Sequence, residues 1–209
     1  GLYYVEYHPA GGDANVEHLL AALDYAVTLD QVEARIAPDQ ALFFINLTAD
    51  EARKIAELTD DSAENDFRRS VSCVGSTVCQ IGMQDSNGLL KDIFGHLEEK
   101  GVDTRKLPRL HISGCPHSCG THQIGEIGFH GAVKLVDKKP TVAFILVDGG
   151  SEHMGSENFG KMAGHIVATK IPEFMEALAN KLNEAPEPDF GSWRLTHKGE
   201  YMELIKAFE

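Results

Sequence analysis

All four cysteines of the 209-residue chain fall in one pattern, Cys73-x5-Cys79, then 35 residues, then Cys115-x3-Cys119. Each pair lies in a glycine-bearing stretch, and the second reads Gly114-Cys115-Pro116-His117-Ser118-Cys119-Gly120. Thiolates are soft ligands that suit zinc, copper(I) and iron–sulfur clusters. Structural zinc sites space their paired ligands by two to four residues, whereas the first pair here has five residues between its cysteines. A cubane cluster is wider than one ion and takes ligands from separate loops. The small residues Gly75, Ser76, Gly82, Gly114 and Gly120 let backbone come close to an inorganic centre and leave N–H groups free to point at sulfur. Pro116 fixes one φ inside the second turn. The competing readings are a structural zinc site, two disulfides and four buried unliganded thiols. Disulfides need an oxidising compartment that nothing in the sequence indicates. Unliganded cysteines pack as small hydrophobes, and chance would not place them in two glycine-rich turns. An iron–sulfur centre is the reading the spacing favours.

The elements that must position these turns follow from hydrophobic periodicity. Leu2 to His8 reads as a strand, Gly11-Gly12 as a turn, and residues 14–28 as a helix with Asp13 as N-cap. Val16, Leu19, Leu20, Leu23 and Ala26 share one face of that helix. Strands over 32–36 and 41–47 follow, then a helix from a capping box, Thr48-Ala49-Asp50-Glu51, to about residue 59. A strand at Phe67 to Ser72 would complete a ferredoxin-like β-α-β-β-α-β unit, with Asp60 to Asp66 as the hinge before it. The expected organisation is therefore α+β with an α/β portion: a ferredoxin-like domain over 1–66, then a mixed α/β cluster-binding domain over 67–209. In the second domain, 85–100 reads as a helix stopped by Gly101, and 109–113 as a strand leading into the second cysteine turn. Strands 127–136 and 141–147 form a hairpin across Asp137-Lys138-Lys139-Pro140. A glycine-rich loop then runs to Gly160. Helices follow from Pro172 to about 183 and from about 197 onward.

Composition narrows the partners. The net charge of −13 argues against nucleic acid and against an anionic membrane surface. The apolar run Val142 to Val147 is far too short to span a bilayer. No secretory signal is visible, and four cysteines without one point to a reducing compartment, so a cytoplasmic location is expected. The chain opens at Gly1 directly into strand-like residues, which suggests a piece of a longer protein. The region Gly149 to Gly160 lacks the Lys-Ser/Thr ending of a phosphate loop, and no GxGxxG follows a strand. His111 and His130 lie in strand-like segments and His122 follows the second turn, and all three read as ordinary structural histidines. Lys134, Lys138 and Lys139 read as surface charge near the hairpin turn.

Cys-x5-Cys followed by Ser-Gly-Cys-Pro-x-x-x-Cys resembles the signature of the sirohaem-containing nitrite and sulfite reductases. The likeness extends to Ile124-Gly125-Glu126-Ile127-Gly128, to Asp148-Gly149-Gly150 and to the ferredoxin-like segment before the first pair. The resemblance implies a 4Fe-4S cluster on Cys73, Cys79, Cys115 and Cys119, with Cys119 also the axial bridge to sirohaem iron. It implies six-electron reduction of sulfite to sulfide or nitrite to ammonia, with electrons from a low-potential donor, a ferredoxin or a reductase subunit. It also implies a missing N-terminal half that supplies the cations gripping the substrate anion, so the 209 residues alone are expected to be inactive.

Two positions depart from the family pattern. His117 stands where Asn is common, and Asn46-Leu47-Thr48 stands where Arg-Leu-Thr is frequent. His117, Arg68 and Arg69 are the local candidates for contacts to the cofactor. Strand alternation allows only one of the two arginines to face the site. The rival readings of the whole are a non-catalytic 4Fe-4S electron-transfer or scaffold module and a structural zinc protein.

Overall fold

A computed structural model describes all 209 residues, which divide into two compact units, Gly1–Glu64 and Asn65–Glu209. In the first, β1 (Tyr3–Tyr7), β2 (Glu33–Ile36) and β3 (Leu42–Leu47) form an antiparallel sheet of order β1-β3-β2. The helices α1 (Val16–Ala26) and α2 (Ala49–Leu58) complete a core of Tyr7, Ala22, Ala26, Phe44, Leu47 and Ile55. The capping box on α2 forms as the sequence predicts: Thr48 Oγ accepts the Glu51 N–H, and the Glu51 carboxylate accepts the Thr48 N–H at 2.7 Å. The cap of α1 is Asn15 rather than Asp13, because the Asn15 side chain takes the Glu17 N–H at 2.9 Å. The result is the ferredoxin-like order without its fourth strand.

The expected strand at 67–72 belongs elsewhere. Asn65 Oδ1 accepts the Arg68 N–H at 3.0 Å, and the Arg69 N–H turns back to Asn65 and Asp66 carbonyls, so 66–69 coils instead of extending. What remains is β4 (Val71–Ser72), which pairs in parallel with β5 (Leu110–Ser113) in the sheet of the second unit. That sheet continues through β6 (Ile127–Val136), β7 (Lys139–Asp148) and β8 (Lys161–Val167) in the order β4-β5-β6-β7-β8. The first three strands run parallel and the last three antiparallel.

The β6–β7 hairpin is tighter than the four-residue turn expected. Asp137 and Lys138 both adopt positive φ, 50° and 64°, the signature of a two-residue type I′ connection. Pro140 is then inside β7, opposite Leu135, in a stretch that β8 does not reach, so its missing N–H breaks no ladder to β8. β8 was not expected from the sequence, because Gly164 interrupts its apolar pattern. A Cβ there would lie 2.5 Å from Ile205 Cγ2, so the glycine lets the C-terminal helix pack onto the strand. Lys134 is not plain surface charge: its Nζ donates to the His165 carbonyl and to a backbone carboxylate oxygen of Glu209, both at 2.6 Å.

The helices of this unit are α3 (Ser86–Glu99), α4 (Ile171–Glu184), α5 (Phe190–Thr196) and α6 (Lys198–Phe208). α3 buries Leu89, Leu90, Ile93, Phe94 and Leu97, and α4 buries Ile171, Phe174, Met175, Leu178, Ala179 and Leu182. The short helix α5 was also unexpected. Phe190 and Trp193 on it pack edge-on against Tyr201 of α6, with ring centroids 5.3 and 6.2 Å away. Arg194 on α5 donates to Asp148 at the end of β7 (Nε to Oδ1 2.6 Å), which ties the helix to the Gly149-Gly150 turn. No helix is long and apolar enough to cross a membrane.

Phe174 is fully buried and contacts Phe208 edge-on, so Phe174→Ala should cost about 3–5 kcal/mol. Thr48→Ala, which removes only the α2 cap, should cost about 1 kcal/mol. Denaturant unfolding of both variants measures the two losses.

Candidate metal centre

The parallel pairing of β4 with β5 ends both strands at the same edge of the sheet, Val71 opposite His111 and Ser72 opposite Ile112. The Cys73 N–H extends that ladder by one bond to the Ile112 carbonyl at 3.0 Å. Cys73 therefore leaves one strand beside the point where Gly114-Cys115 leaves its neighbour. The first loop then folds on itself. Gly75 has φ +65°, and its carbonyl accepts the N–H groups of Val78 and Cys79, which curls the chain and fixes Cys79. The Gly114 carbonyl takes the N–H groups of Met83 and Gln84 at 3.2 and 2.9 Å, and the Gly114 N–H donates to Cys73 Sγ at 3.1 Å. The two cysteine loops are thus joined by backbone hydrogen bonds, and one of them is already aimed at a sulfur.

The second turn holds strained backbone. Ser118 and Thr121, on either side of Cys119-Gly120, have φ of 61° and 52°, values that cost non-glycine residues of order 1 kcal/mol or more each. Buried polar groups on β5 keep it there. Ser113 Oγ accepts the Gly120 N–H at 3.0 Å and contacts His122 Nδ1 at 3.0 Å, while His111 Nδ1 contacts Thr121 Oγ1 at 2.8 Å. Gly120 is needed for close approach, since a Cβ would fall 2.0 Å from the Ile112 carbonyl oxygen. His111 and His122 are therefore structural, as the sequence suggests, but in a specific way: they latch the turn that carries Cys119. Alternate polar side chains at 111 and 113, inside a strand buried on both faces, were the readable signal for that latch.

All four thiols are free; Cys115 is buried, Cys73 and Cys79 are half-buried and Cys119 is exposed. The donor set fits an iron–sulfur cluster: four soft ligands, on two loops stitched together, with an N–H directed at one sulfur. It fits a single zinc ion less well. A tetrahedral ion with Zn–S bonds of about 2.3 Å brings its sulfurs to about 3.8 Å apart, and no three cysteine sulfurs here lie within 4.8 Å of one another. The one donor trio that close is His18, Asp60 and Asp61 in the first unit, with His18 Nδ1 3.1 Å from each carboxylate. Val74, Val78, Ile81 and Met83 leave large exposed apolar surfaces on and just after the first cysteine loop.

The other sequence candidates sit as follows. Arg68 is not in a strand, so alternation does not select between it and Arg69. Its guanidinium lies over the Phe94 ring, 4.8 Å from the centroid, and 3.5 Å from Glu98, so it is engaged on α3. Arg69 is half-buried in the same turn, and His117 is exposed beside Pro116. A cleft of about 390 Å³ flanks β5 and the segment after the second turn, lined by His111, Ile124, Gly125, Glu126, Arg105 and Arg109 among others. Its cations are largely engaged. Arg105 pairs with Asp103, and Arg109 lies 3.8 Å from Glu152. Lys106, also in the lining, donates to the carbonyls of Leu182 and Ala185. Burial raises the Glu126 carboxyl above the usual range, helped by the nearby Asp189 charge.

The second unit is thus a mixed α/β domain that sets four cysteines in two joined loops at one end of its parallel strands. The chain belongs to the nitrite and sulphite reductase 4Fe-4S domain family, whose model matches residues 63–185. The ferredoxin–nitrite reductase of Synechococcus elongatus is 31% identical over 183 residues, which is 85% of this chain and 36% of that protein. The NADPH sulfite reductase hemoprotein β-component of Bacillus licheniformis is 30% identical over 110 residues, 47% of this chain and 19% of that protein. The solved Mycobacterium tuberculosis NirA protein superposes with a TM-score of 0.73 at 20% identity, covering 94% of this chain and 38% of that one. The chain thus spans between about a fifth and two fifths of these relatives' length.

Burial, with the neighbouring His130 and His111 charges, lowers the His122 pKa to about 4. The unfolded chain then binds a proton near pH 6.5 that the folded chain refuses until about pH 4, so stability falls as pH falls through that window. Chemical denaturation at pH 7, 5.5 and 4.5 should show this loss, and His122→Asn should flatten the slope.

Proposed function

We propose that the chain is the cluster- and sirohaem-binding part of a nitrite or sulfite reductase. In this reading Cys73, Cys79, Cys115 and Cys119 hold a 4Fe-4S cluster, and Cys119 also bridges to sirohaem iron. The observation that carries it is the joining of the two cysteine loops at the end of β4 and β5, with the Gly114 N–H 3.1 Å from Cys73 Sγ. The exposure of Cys119 beside three better-shielded thiols supports its bridging role, because a bridging sulfur must face outward to a second cofactor. The exposed apolar side chains of Val74, Val78, Ile81 and Met83 are suited to cover by a macrocycle or by the rest of the parent protein. When bound, the coupled cofactors would deliver six electrons singly to one anion, reducing sulfite to sulfide or nitrite to ammonia.

The chain's own residues would bind and orient. β4 and β5 set the spacing between loops, Ser113 and His111 hold the Cys119 turn, and the buried face of Cys115 excludes water. Arg68, Arg69 and His117 are the candidates for contacts to cofactor carboxylates, with Arg68 oriented by the Phe94 ring and Glu98. The cations that grip substrate would come from the N-terminal half of the parent enzyme, because those near the site here are largely paired within the chain. A low-potential donor, a ferredoxin or a reductase subunit, would supply electrons in the cytoplasm.

The parent protein, produced with sirohaem available, should show a Soret-like band with Q-type bands and reduce sulfite or nitrite, and the 209 residues alone should not. A single broad shoulder would mark a bare cluster module instead, and one zinc with no iron or sulfide would remove the cluster altogether. Cys119→Ser in the parent protein should lose both the cluster and sirohaem, read by iron and sulfide analysis and by the visible spectrum. Retention of both would exclude the bridging role.

A further inference from the structure

We infer that the Ser86 hydroxyl tunes the reduction potential of the cluster through the sulfur of Cys73, a role that rests on the assignment of Cys73 as a ligand. Ser86 is the first residue of α3 and fully buried. Its Oγ lies 3.1 Å from Cys73 Sγ and 2.8 Å from the Cys73 carbonyl oxygen. The contact is held from several sides. Asp85 Oδ1 accepts the Gly88 N–H at 2.8 Å and anchors the first turn of α3. Asn87 reaches back to Ser72 Oγ at 3.4 Å. The first cysteine loop is pressed against this helix start so closely that a Cβ on Gly75 would fall 2.7 Å from the Ser86 nitrogen. Cys73 Sγ thus has two polar groups within bonding distance, the Gly114 N–H and the Ser86 hydroxyl.

The consequence follows from charge. A free thiol has its own proton, so its S–H can donate to Ser86 Oγ while the hydroxyl donates to the Cys73 carbonyl. A sulfur bound to iron has no proton to give, and the hydroxyl becomes the only donor in that pair. Its hydrogen is then shared between the carbonyl and the sulfur. A reduced cluster carries one more electron, part of it on the ligand sulfurs, and a donor aimed at sulfur favours that state over the oxidised one. Ser86 is sealed from solvent, so water does not take over the bond when the hydroxyl is removed. Ser86 is a positioning and tuning residue, since it acts on the cluster only through the Cys73 thiolate.

The test is a redox titration of the iron- and sulfide-reconstituted chain, followed by EPR of the reduced cluster, in wild type, Ser86→Ala, Ser86→Val and Ser86→Thr. The Ala and Val variants should shift the potential to more negative values, and the Thr variant, which keeps the hydroxyl, should stay close to wild type. Val and Thr are nearly the same size, so that pair carries the test if the Ala variant fails to retain its cluster. Equal potentials for Val and Thr would overturn the role of the hydroxyl while leaving the cluster in place. A wild-type chain that takes up no iron or sulfide would instead overturn the cluster assignment itself, and the two failures are told apart by metal and sulfide analysis before any titration.

Discussion

The parallel pairing of β4 with β5 is the constraint on which the rest of the site depends. It is only two residues long, yet it sets two loops from distant parts of the chain side by side. A slip of one residue would send Ser72 and Ile112 to opposite faces and take Cys73 away from Gly114. The register is protected by burial of both strands and by the Cys73 N–H bond to Ile112. Ligands of many kinds gather at the carboxyl ends of parallel strands, because loops leave there in the same direction. Here those loops carry thiols.

The second dependence is on buried polar groups. β5 is buried at every position, yet two of its four side chains are polar. Each is satisfied by the turn above it, so the desolvation of His111 and Ser113 is offset by bonds that hold Thr121, His122 and Gly120. Positive φ at Ser118 and Thr121 persists because this network over-determines it. The network thus holds the turn that carries Cys119 in one geometry. The Gly149-Gly150 turn is braced in the same spirit: Gly149 donates to the Glu126 carbonyl, and Asp148 is fixed by Arg194.

Charge is organised differently. The chain is strongly acidic, and its few cations near the site are mostly committed to carboxylates, carbonyls or an aromatic ring. The thiol loops, by contrast, present apolar side chains around half-exposed sulfur.

Local chemistry was legible in the sequence: the cysteine spacing, the glycines beside it, the Thr48–Glu51 capping box, the Gly101 helix stop and the long β6–β7 hairpin all depend on neighbours a few residues away. The tertiary structure decided what depends on distant partners. Phe67 to Ser72 carried a strand-like pattern, but Asn65 coils its first half, and only Val71–Ser72 finds a partner, in the other sheet. β8 was hidden by Gly164, whose reason is a helix packed against it from more than thirty residues downstream. The guanidinium of Arg68 lies over Phe94 and near Glu98, contacts that no local pattern announces. Ser86 was an unremarked helix residue until the fold set it against Cys73. Ligand type and spacing are written along the chain, whereas the bonds that orient a sulfur come from residues that only packing brings within 3 Å or so of it.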